Sequence, residues 1–132
     1  NGDADGPGRR MVAPLAAVIV AKDGKPFMAM GTPGNPPQPI TQILVNILEF
    51  GLSPREAVDA PRFWADNKRN IRIESRITEE ARNGIKAAGF KVTELTDFNW
   101  HVGSIQVVWF DSEEGKYFGI SDPRRLGQAD GY

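Results

Sequence analysis

The sequence has no cysteine and a single histidine, His101. The missing cysteines exclude disulfide bonds, thiolate metal sites and a cysteine nucleophile, and one histidine excludes a multi-histidine metal site within this chain. The chain also has no large excess of either charge. Its 16 basic residues are interleaved with 17 acidic ones, and the net charge is −1. No basic stripe stands out, so nucleic acid is not an expected partner.

Long apolar runs are absent as well. The run Leu15–Ala21 is far shorter than the roughly 20 residues that cross a bilayer as a helix, so no membrane partner is expected. With 132 residues, of which 40% are hydrophobic and 25% charged, the composition predicts a soluble domain with a single core. Cytoplasm and periplasm both stay open as compartments, since many exported bacterial proteins also lack cysteine.

The start of the chain is polar and glycine-rich. Asn1–Gly8 carries no signal-peptide pattern and no initiating methionine. We therefore expect residues 1–10 to be a flexible lead-in and the whole sequence to be cut from a longer chain.

The patterns of apolar residues predict strands first and a helix next. Leu15–Ala21 is continuously apolar, which is typical of a strand buried on both faces. Asp23-Gly24 predicts a hairpin turn into a partner strand, Lys25–Met30. Ile40–Phe50 repeats apolar residues at the spacing of one helical face, and Gly51 ends that helix.

The remaining patterns complete an α+β fold, a sheet covered by helices. The expected elements are a helix from the capping box Ser53–Glu56 to Ala60, a second helix over Glu79–Ala88 capped by Thr78, and strands at Asn70–Glu74, Phe90–Leu95, Ser104–Phe110 and Tyr117–Ile120.

The segment Gly31–Pro39 lies between a predicted strand and a predicted helix and is rich in helix breakers. The first turn of a helix has N–H groups without internal partners, and its dipole favours negative charge. Gly34 leaves the backbone accessible and Asn35 tolerates unusual backbone angles, so their amides are candidates for an oxyanion hole. The alternative is an ordinary connection that its prolines stiffen.

Three polar residues suggest a serine hydrolase, namely Asp97, His101 and Ser104. Residues so close in sequence rarely reach triad geometry, and the Gly-x-Ser-x-Gly turn of an α/β-hydrolase is absent. The alternative is a loop histidine followed by a glycine that begins a strand.

Two charged motifs predict local structure. Asp59 and Arg62 flank Ala60-Pro61 and predict a salt bridge at the end of the predicted helix that stops at Ala60. Asp122-Pro123-Arg124 predicts a turn in which the aspartate binds local amides and Arg124 is available to a carboxylate.

Several motifs, in order, resemble the C-terminal half of the small subunit of gamma-glutamyltransferases. The resemblance covers about residues 8–132 and rests on Lys22–Lys25, Gly31–Gly34, Asn46–Gly51, Glu56–Phe63, Gly103–Gln106, Gly119–Arg124 and Gly131-Tyr132.

This resemblance implies that residues 11–132 are part of an N-terminal-nucleophile hydrolase with an αββα sandwich. Such an enzyme is a precursor that cuts itself and exposes a threonine, which attacks a gamma-glutamyl amide such as glutathione and forms an acyl-enzyme. The glutamyl group then passes to water, an amino acid or a peptide. No cofactor is expected. Gly34 and Asn35 match two glycines whose amides form the family's oxyanion hole, and Thr32, Pro33 and Gly34 are the expected substrate-binding residues.

The sequence departs from the family pattern in three places. Asn35 replaces a glycine, and Val12–Pro14 stands where the family often has a Ser-Ser pair for the substrate's alpha-carboxylate, which favours a related acyl substrate over glutathione. The segment with the nucleophilic threonine would lie upstream of Asn1. We therefore expect this chain alone to be inactive.

Two functions follow from the sequence. The first is part of a gamma-glutamyltransferase-like enzyme, completed by the upstream part of the same precursor. The second is a non-catalytic domain that keeps the scaffold and serves as a binding or structural partner. In either case an isolated piece of a larger sheet exposes apolar surface, so self-association is expected.

Overall fold

The structure is a computed structural model that describes residues 7–8, 15–33 and 37–131. The predicted lead-in and Val12–Pro14 therefore lie mostly or wholly outside the described residues, as do Gly34 and Asn35. The elements in chain order are β1 (Leu15–Lys22), β2 (Lys25–Pro33), α1 (Gln38–Leu48), α2 (Pro54–Asp59), β3 (Phe63–Ala65), β4 (Asn70–Glu74), α3 (Glu79–Ala87), β5 (Lys91–Leu95), a 3-10 helix (Trp100–Val102), β6 (Gln106–Asp111) and β7 (Lys116–Ser121). This mixture of helices and sheets confirms the α+β class.

Four strands form an antiparallel sheet in the order β1-β2-β6-β7. The β1–β2 turn has positive φ at Asp23 (52°) and Gly24 (76°), the geometry that matches the twist of a two-residue hairpin. The predicted hairpin is thus confirmed. A second turn, at Ser112–Gly115, joins β6 to β7.

The prediction that the first strand is buried on both faces is wrong for this chain. Along β1 exposed and half-buried residues alternate up to Val20, and Ile19 is 74% exposed. β1 is an edge strand, and only the face that carries Val18 and Val20 packs on the core. A continuous apolar run cannot distinguish a covered face from one that nothing covers within the described residues.

β2 extends three residues beyond its predicted end. Gly31, Thr32 and Pro33 pair with Ala17, Ala16 and Leu15 of β1. Backbone pairing with a neighbouring strand therefore overrides the turn tendency of Gly and Pro. The segment between β2 and α1 shrinks to residues 34–37.

The core lies between one face of this sheet and helices α1 and α2. Helix α1 begins two residues earlier than predicted, because a proline in the first turn has no hydrogen bond to lose there. It ends at Leu48, and Gly51 follows in the left-handed region with φ 69°. The buried apolar residues of the core are Met28, Met30, Ile40, Ile43, Ala57, Val58, Ile105, Val107 and Ile120.

Both shorter helices are capped as predicted. The Ser53 hydroxyl accepts a hydrogen bond from the Glu56 amide, and the Glu56 carboxylate accepts one from the Ser53 amide, which completes the capping box of α2. Thr78 caps α3 through the Ala81 amide.

A second sheet has three strands in the order β3-β4-β5, with β3–β4 antiparallel and β4–β5 parallel. Helix α3 contacts β5, the strand that follows it. Strand β3 was not predicted, because three residues are too few to show a period. No helix among the described residues is long and apolar enough to cross a membrane.

Candidate functional site

The predicted oxyanion segment connects the end of β2 to the start of α1. Thr32 is 4% exposed, and its hydroxyl donates to the Pro33 carbonyl oxygen at 3.3 Å. Pro33 is exposed, so a ligand can reach Pro33 but not the buried Thr32. Gly34 and Asn35 lie outside the described residues, and their role remains a prediction.

The first turn of α1 has no capping side chain. Its N-cap residue is Pro37, which makes no side-chain hydrogen bond to the turn, whereas α2 and α3 have Ser53 and Thr78 in this place. Helical N–H groups point toward the N-terminus, so the free ones of this turn face the end of the segment 34–37. This end of α1 therefore presents donors and a positive dipole end.

The start of α1 packs closely on the segment that follows the 3-10 helix. Pro39 is fully buried against Gly103, whose φ is 85°. A Cβ on Gly103 would lie 2.9 Å from Cγ of Pro39, which is closer than real Cβ contacts. Both the backbone angle and the close approach require glycine at this position.

Behind this region lies a set of buried charges, here called the buried charge cluster, made of Arg62, Glu74, Asp122 and Arg124. All four residues are at most 5% exposed. Two guanidinium groups face two carboxylates, so the cluster is balanced in charge. The contacts join residues that are far apart in sequence, because Arg62 precedes β3, Glu74 ends β4, and Asp122 follows β7.

Arg124 binds the Glu74 carboxylate in a bidentate manner. Its Nε lies 2.7 Å from Glu74 Oε1 and its Nη2 lies 2.7 Å from Glu74 Oε2. The same guanidinium donates to the carbonyl oxygens of Val58 at 2.9 Å and Ala60 at 2.8 Å. One side chain thus ties β4 to the end of α2.

Asp122 holds the other half of the cluster. Its carboxylate pairs with Arg62 and accepts hydrogen bonds from the Ile105 amide at 2.8 Å and the Arg124 amide at 2.9 Å. The predicted turn at Asp122–Arg124, with Arg124 on a carboxylate, is therefore confirmed.

The predicted Asp59–Arg62 salt bridge is wrong. Asp59 pairs with Arg55 one helical turn earlier, and Arg62 pairs with Asp122 instead. Pro61 ends the helix between Asp59 and Arg62, and the chain then turns the arginine inward. Nearness in sequence could not reveal that Arg62 is fully buried.

Burial and charge shift two pKa values of the cluster. Burial lowers the pKa of Arg62, and the opposing charge of Asp122 counteracts this shift. For Glu74 burial acts to raise the pKa, but the hydrogen bonds and charge of Arg124 outweigh it, so the pKa lies below its ordinary value. The Glu74 carboxyl is therefore ionised within the protein.

Arg76 lies at the edge of this cluster. It donates to Glu74 Oε2 at 2.9 Å, and its guanidinium carbon lies 3.7 Å from the ring centre of Phe98. This cation–π contact places an additional positive charge on an aromatic face beside the cluster.

The residues of the suggested serine hydrolase have other contacts. Asp97 accepts a hydrogen bond from Ser75, and His101 Nδ1 lies 2.8 Å from Asn99 Oδ1. Ser104 is 3% exposed, so its hydroxyl is not open to an external substrate. These contacts favour the alternative, a loop histidine before a buried strand entry. Among the described residues there is also no group of three or more His, Asp or Glu residues that could hold a metal ion.

Sequence reasoning missed Glu74 as the partner of Arg124. Strand alternation gave no signal, because it places Glu74 on the face of Asn70 and Arg72, opposite Ile71 and Ile73. A buried carboxylate needs a cation, but only the tertiary structure shows that Glu74 is buried and that Arg124 is its partner.

Comparison with known proteins gives the family. Residues 3–132 match the family description Gamma-glutamyltranspeptidase. The chain is 33% identical to the glutathione hydrolase-like YwrD proenzyme of Bacillus subtilis (strain 168), covering 95% of this chain and 25% of that protein. It is 36% identical to the glutathione hydrolase proenzyme of Pseudomonas sp. (strain A14), covering 98% of this chain and 24% of that protein.

A solved structure agrees with the sequence matches. Gamma-glutamyltranspeptidase from Pseudomonas nitroreducens, complexed with L-DON, superposes with a TM-score of 0.81 at 28% identity and covers 100% of this chain and 69% of that one. The fold is therefore part of the αββα sandwich of N-terminal-nucleophile hydrolases. The chain spans about a quarter of the length of the curated relatives it matches. Because the match extends over nearly all of its residues, the chain belongs to the gamma-glutamyltranspeptidase family.

Proposed function

We propose that this chain is the C-terminal part of a self-processing enzyme that transfers or hydrolyses gamma-glutamyl groups, and that its segment 31–37 supplies the oxyanion hole. The observation that supports this most strongly is the position of the segment. It leaves the pairing of β2 beside the buried Thr32 and enters the uncapped first turn of α1. Backbone N–H groups at such a site meet negative charge at no cost in reorganisation.

The chemical step needs a residue that this chain does not supply. All five threonines of the chain follow other residues, so none has a free alpha-amino group without a cut before it. The proposed nucleophile is a threonine freed upstream in the same precursor. Its hydroxyl attacks the amide carbonyl carbon while its amino group accepts the proton. The carbon–nitrogen bond then breaks, the amine leaves with that proton, and water or an acceptor amine releases the acyl group.

In this scheme the amides of Gly34 and Asn35 donate to the carbonyl oxygen as it becomes negative. One such donor is worth about 10² to 10³-fold in kcat. Pro33, at the exposed end of β2, borders the substrate, and Thr32 and Gly34 complete the binding segment. The acyl substrate is glutathione or a related amide.

The exposed face of the four-stranded sheet supports the proposal that further sequence of the precursor packs on this chain. Ile19, Ala29 and Val108 lie side by side on this face, since Ile19 pairs with Ala29 and Ala29 with Val108. Ile19 is 74% exposed and Val108 is 48% exposed. We assign this face to contact with the upstream part of the precursor.

The first test uses the product of the complete gene. Intact mass and N-terminal sequencing are expected to show two fragments, the smaller one beginning with threonine, and the product should release aniline from a gamma-glutamyl anilide. A single uncut chain without this activity would contradict the catalytic proposal and leave the non-catalytic scaffold as the function.

The second test addresses the oxyanion donors. Asn35→Pro removes the amide donor and is expected to lower kcat about 10² to 10³-fold, whereas the matched variant Asn35→Gly keeps the amide and should stay within a few-fold of the parent. Equal activity of the two variants would contradict the assignment of this amide.

A further inference from the structure

Two glutamine side chains of α1 hydrogen-bond to the backbone of β3. Gln38 Nε2 donates to the Ala65 carbonyl oxygen at 2.6 Å, and the Ala65 amide donates to Gln38 Oε1 at 2.8 Å. Gln42 Nε2 donates to the Phe63 carbonyl oxygen at 2.9 Å, and the Phe63 amide donates to Gln42 Oε1 at 3.1 Å. Each side-chain amide thus acts as a peptide group of a neighbouring strand. We call these four hydrogen bonds the amide clamp.

The spacing of the amide clamp fixes one register. Residues four apart in a helix are separated by about 6 Å along its axis, and alternate residues of a strand by about 6.6 to 6.8 Å. The spacing of the two glutamines along the helix therefore equals the spacing of their partners along the strand, with Gln38 opposite Ala65 and Gln42 opposite Phe63. A shift by one residue would place the glutamines opposite Trp64, whose neighbour across the sheet is Arg72 of β4.

The clamp occupies an edge that no strand covers within the described residues. β3 is the outer strand of its sheet and pairs only with β4 there. Without the glutamines, the outward backbone groups of Phe63 and Ala65 would lack protein partners within the described part of the chain. The Gln38–Ala65 hydrogen bonds are partly buried, which limits the access of competing water, whereas the Gln42–Phe63 hydrogen bonds are exposed.

The clamp lies at the C-terminal end of the proposed oxyanion segment. Gln38 is the first residue of α1 and follows Pro37 directly. Three anchors hold the described residues that precede and follow 34–36 in sequence: the pairing of Thr32 in β2, the packing of Pro39 on Gly103, and the clamp itself. The strand that receives the clamp is fixed in turn, because the Arg62 amide donates to Glu74 Oε2 at 3.0 Å.

We propose that Gln38 and Gln42 are positioning residues for the oxyanion hole, which set the direction of the first turn of α1 by clamping it to the edge of β3. This inference rests on the proposed function of the segment 31–37. The glutamines do not touch the substrate. A displacement of about 1 Å at a reacting centre can cost about 10²-fold in rate, so the loss of the clamp acts on kcat.

The test compares variants of the complete gene product. Gln38→Met and Gln42→Met each remove the two clamp hydrogen bonds of one glutamine at similar side-chain length. Gln42→Met also removes the hydrogen bond from Gln42 Nε2 to the Gln38 carbonyl oxygen at 3.1 Å. The control is Gln128→Met, which makes the same change at an exposed position of the tail.

Two readouts separate positioning from mere stability. Each methionine variant is expected to lower kcat about 10- to 10²-fold with KM changed less than about three-fold, while amide hydrogen exchange of Phe63 or Ala65 becomes faster. Gln42→Met, whose clamp bonds to Phe63 are exposed, should give the smaller loss, which covers the case in which Gln38→Met does not fold. Faster exchange with unchanged kcat would overturn the positioning role, and unchanged exchange would overturn the clamp itself.

The failure of the proposed function would be distinct from these outcomes. An unmodified gene product without gamma-glutamyl activity would contradict that function. The exchange rates of the Phe63 and Ala65 amides, which need no activity, would still decide for or against the clamp.

Discussion

At the scale of single residues, burial decides which charges matter. Arg62 and Asp122 are buried together, whereas the Arg55–Asp59 pair has side chains that are 49% and 41% exposed. Removal of one partner of a buried pair leaves an uncompensated charge away from water, and an exposed charge is screened by solvent. The two pairs therefore provide a controlled comparison within one protein.

We expect Asp122→Ala to lower the free energy of unfolding by about 3 to 5 kcal/mol. The variant also removes the acceptor for the amide of Ile105, a buried residue of the core. Asp59→Ala is the matched control and should cost less than about 1 kcal/mol. Denaturant unfolding of both variants measures the difference, and equal losses would contradict the importance of the buried pair.

Glu74 gives the pH dependence of this cluster. Because its pKa in the folded protein lies below the ordinary value of 4.5, the unfolded chain binds more protons and stability rises with pH in this range. The ionised Glu74 carboxylate contributes fully to the free energy of unfolding above the pKa that it has in the unfolded chain. This contribution is lost as pH falls through the lower pKa that Glu74 has in the folded protein.

Glu74→Gln should therefore be less stable at neutral pH and should lose less stability than the parent protein on acidification below about pH 4.5. Unfolding free energies measured at a series of pH values check this expectation. Parallel curves for the two proteins would show that Glu74 does not titrate as inferred.

At the scale of elements, contacts between segments set where α1 begins. Gly103, just after the 3-10 helix, lies against Pro39 in the first turn of α1. Gly84, in the middle of α3, has no atom within 4 Å of its Cβ position. A substitution by alanine would therefore meet a close contact at Gly103 and open space at Gly84.

Gly103→Ala is expected to destabilise the protein by about 1 to 3 kcal/mol, because the new methyl group meets a rigid proline ring and the backbone is left-handed. Gly84→Ala should stabilise it by about 0.5 to 1 kcal/mol, since alanine is the better helix former. Thermal unfolding of both variants shows the two signs. A stabilising Gly103→Ala would contradict the described packing against Pro39.

At the scale of the whole molecule, the four-stranded sheet has one covered and one open face within the described residues. Helices α1 and α2 cover the inner face. On the outer face Leu15 and Ile19 are exposed, and the tail reaches β7, where a Cβ on Gly119 would lie 2.8 Å from Cβ of Ala129. Apolar surface of this kind drives association when nothing covers it.

The isolated 132-residue chain is therefore expected to self-associate in sedimentation experiments. Ile19→Lys and Val108→Lys place charges on the open face and should shift the chain toward the monomer. Leu126→Lys changes an exposed leucine of the tail and should not. A monomeric parent chain at high concentration would contradict this expectation.

The sequence by itself determined the local structure and the family. Capping residues at Ser53 and Thr78 and the turn at Asp23-Gly24 act through neighbours in sequence, so their effects could be predicted from residue type and spacing. Motifs in the right order identified the family without any contact being known. The position of the proposed oxyanion segment between a strand and a helix was predictable for the same reason.

Only the tertiary structure decided how distant residues meet. It placed Arg62 on Asp122 rather than Asp59, joined Glu74 to Arg124, and brought Gln38 and its helix to an unpredicted strand. It also showed that one face of the first strand is open within the described residues. The physical reason is that ion pairing and burial depend on distance in space and on solvent exclusion, and neither is fixed by separation along the chain.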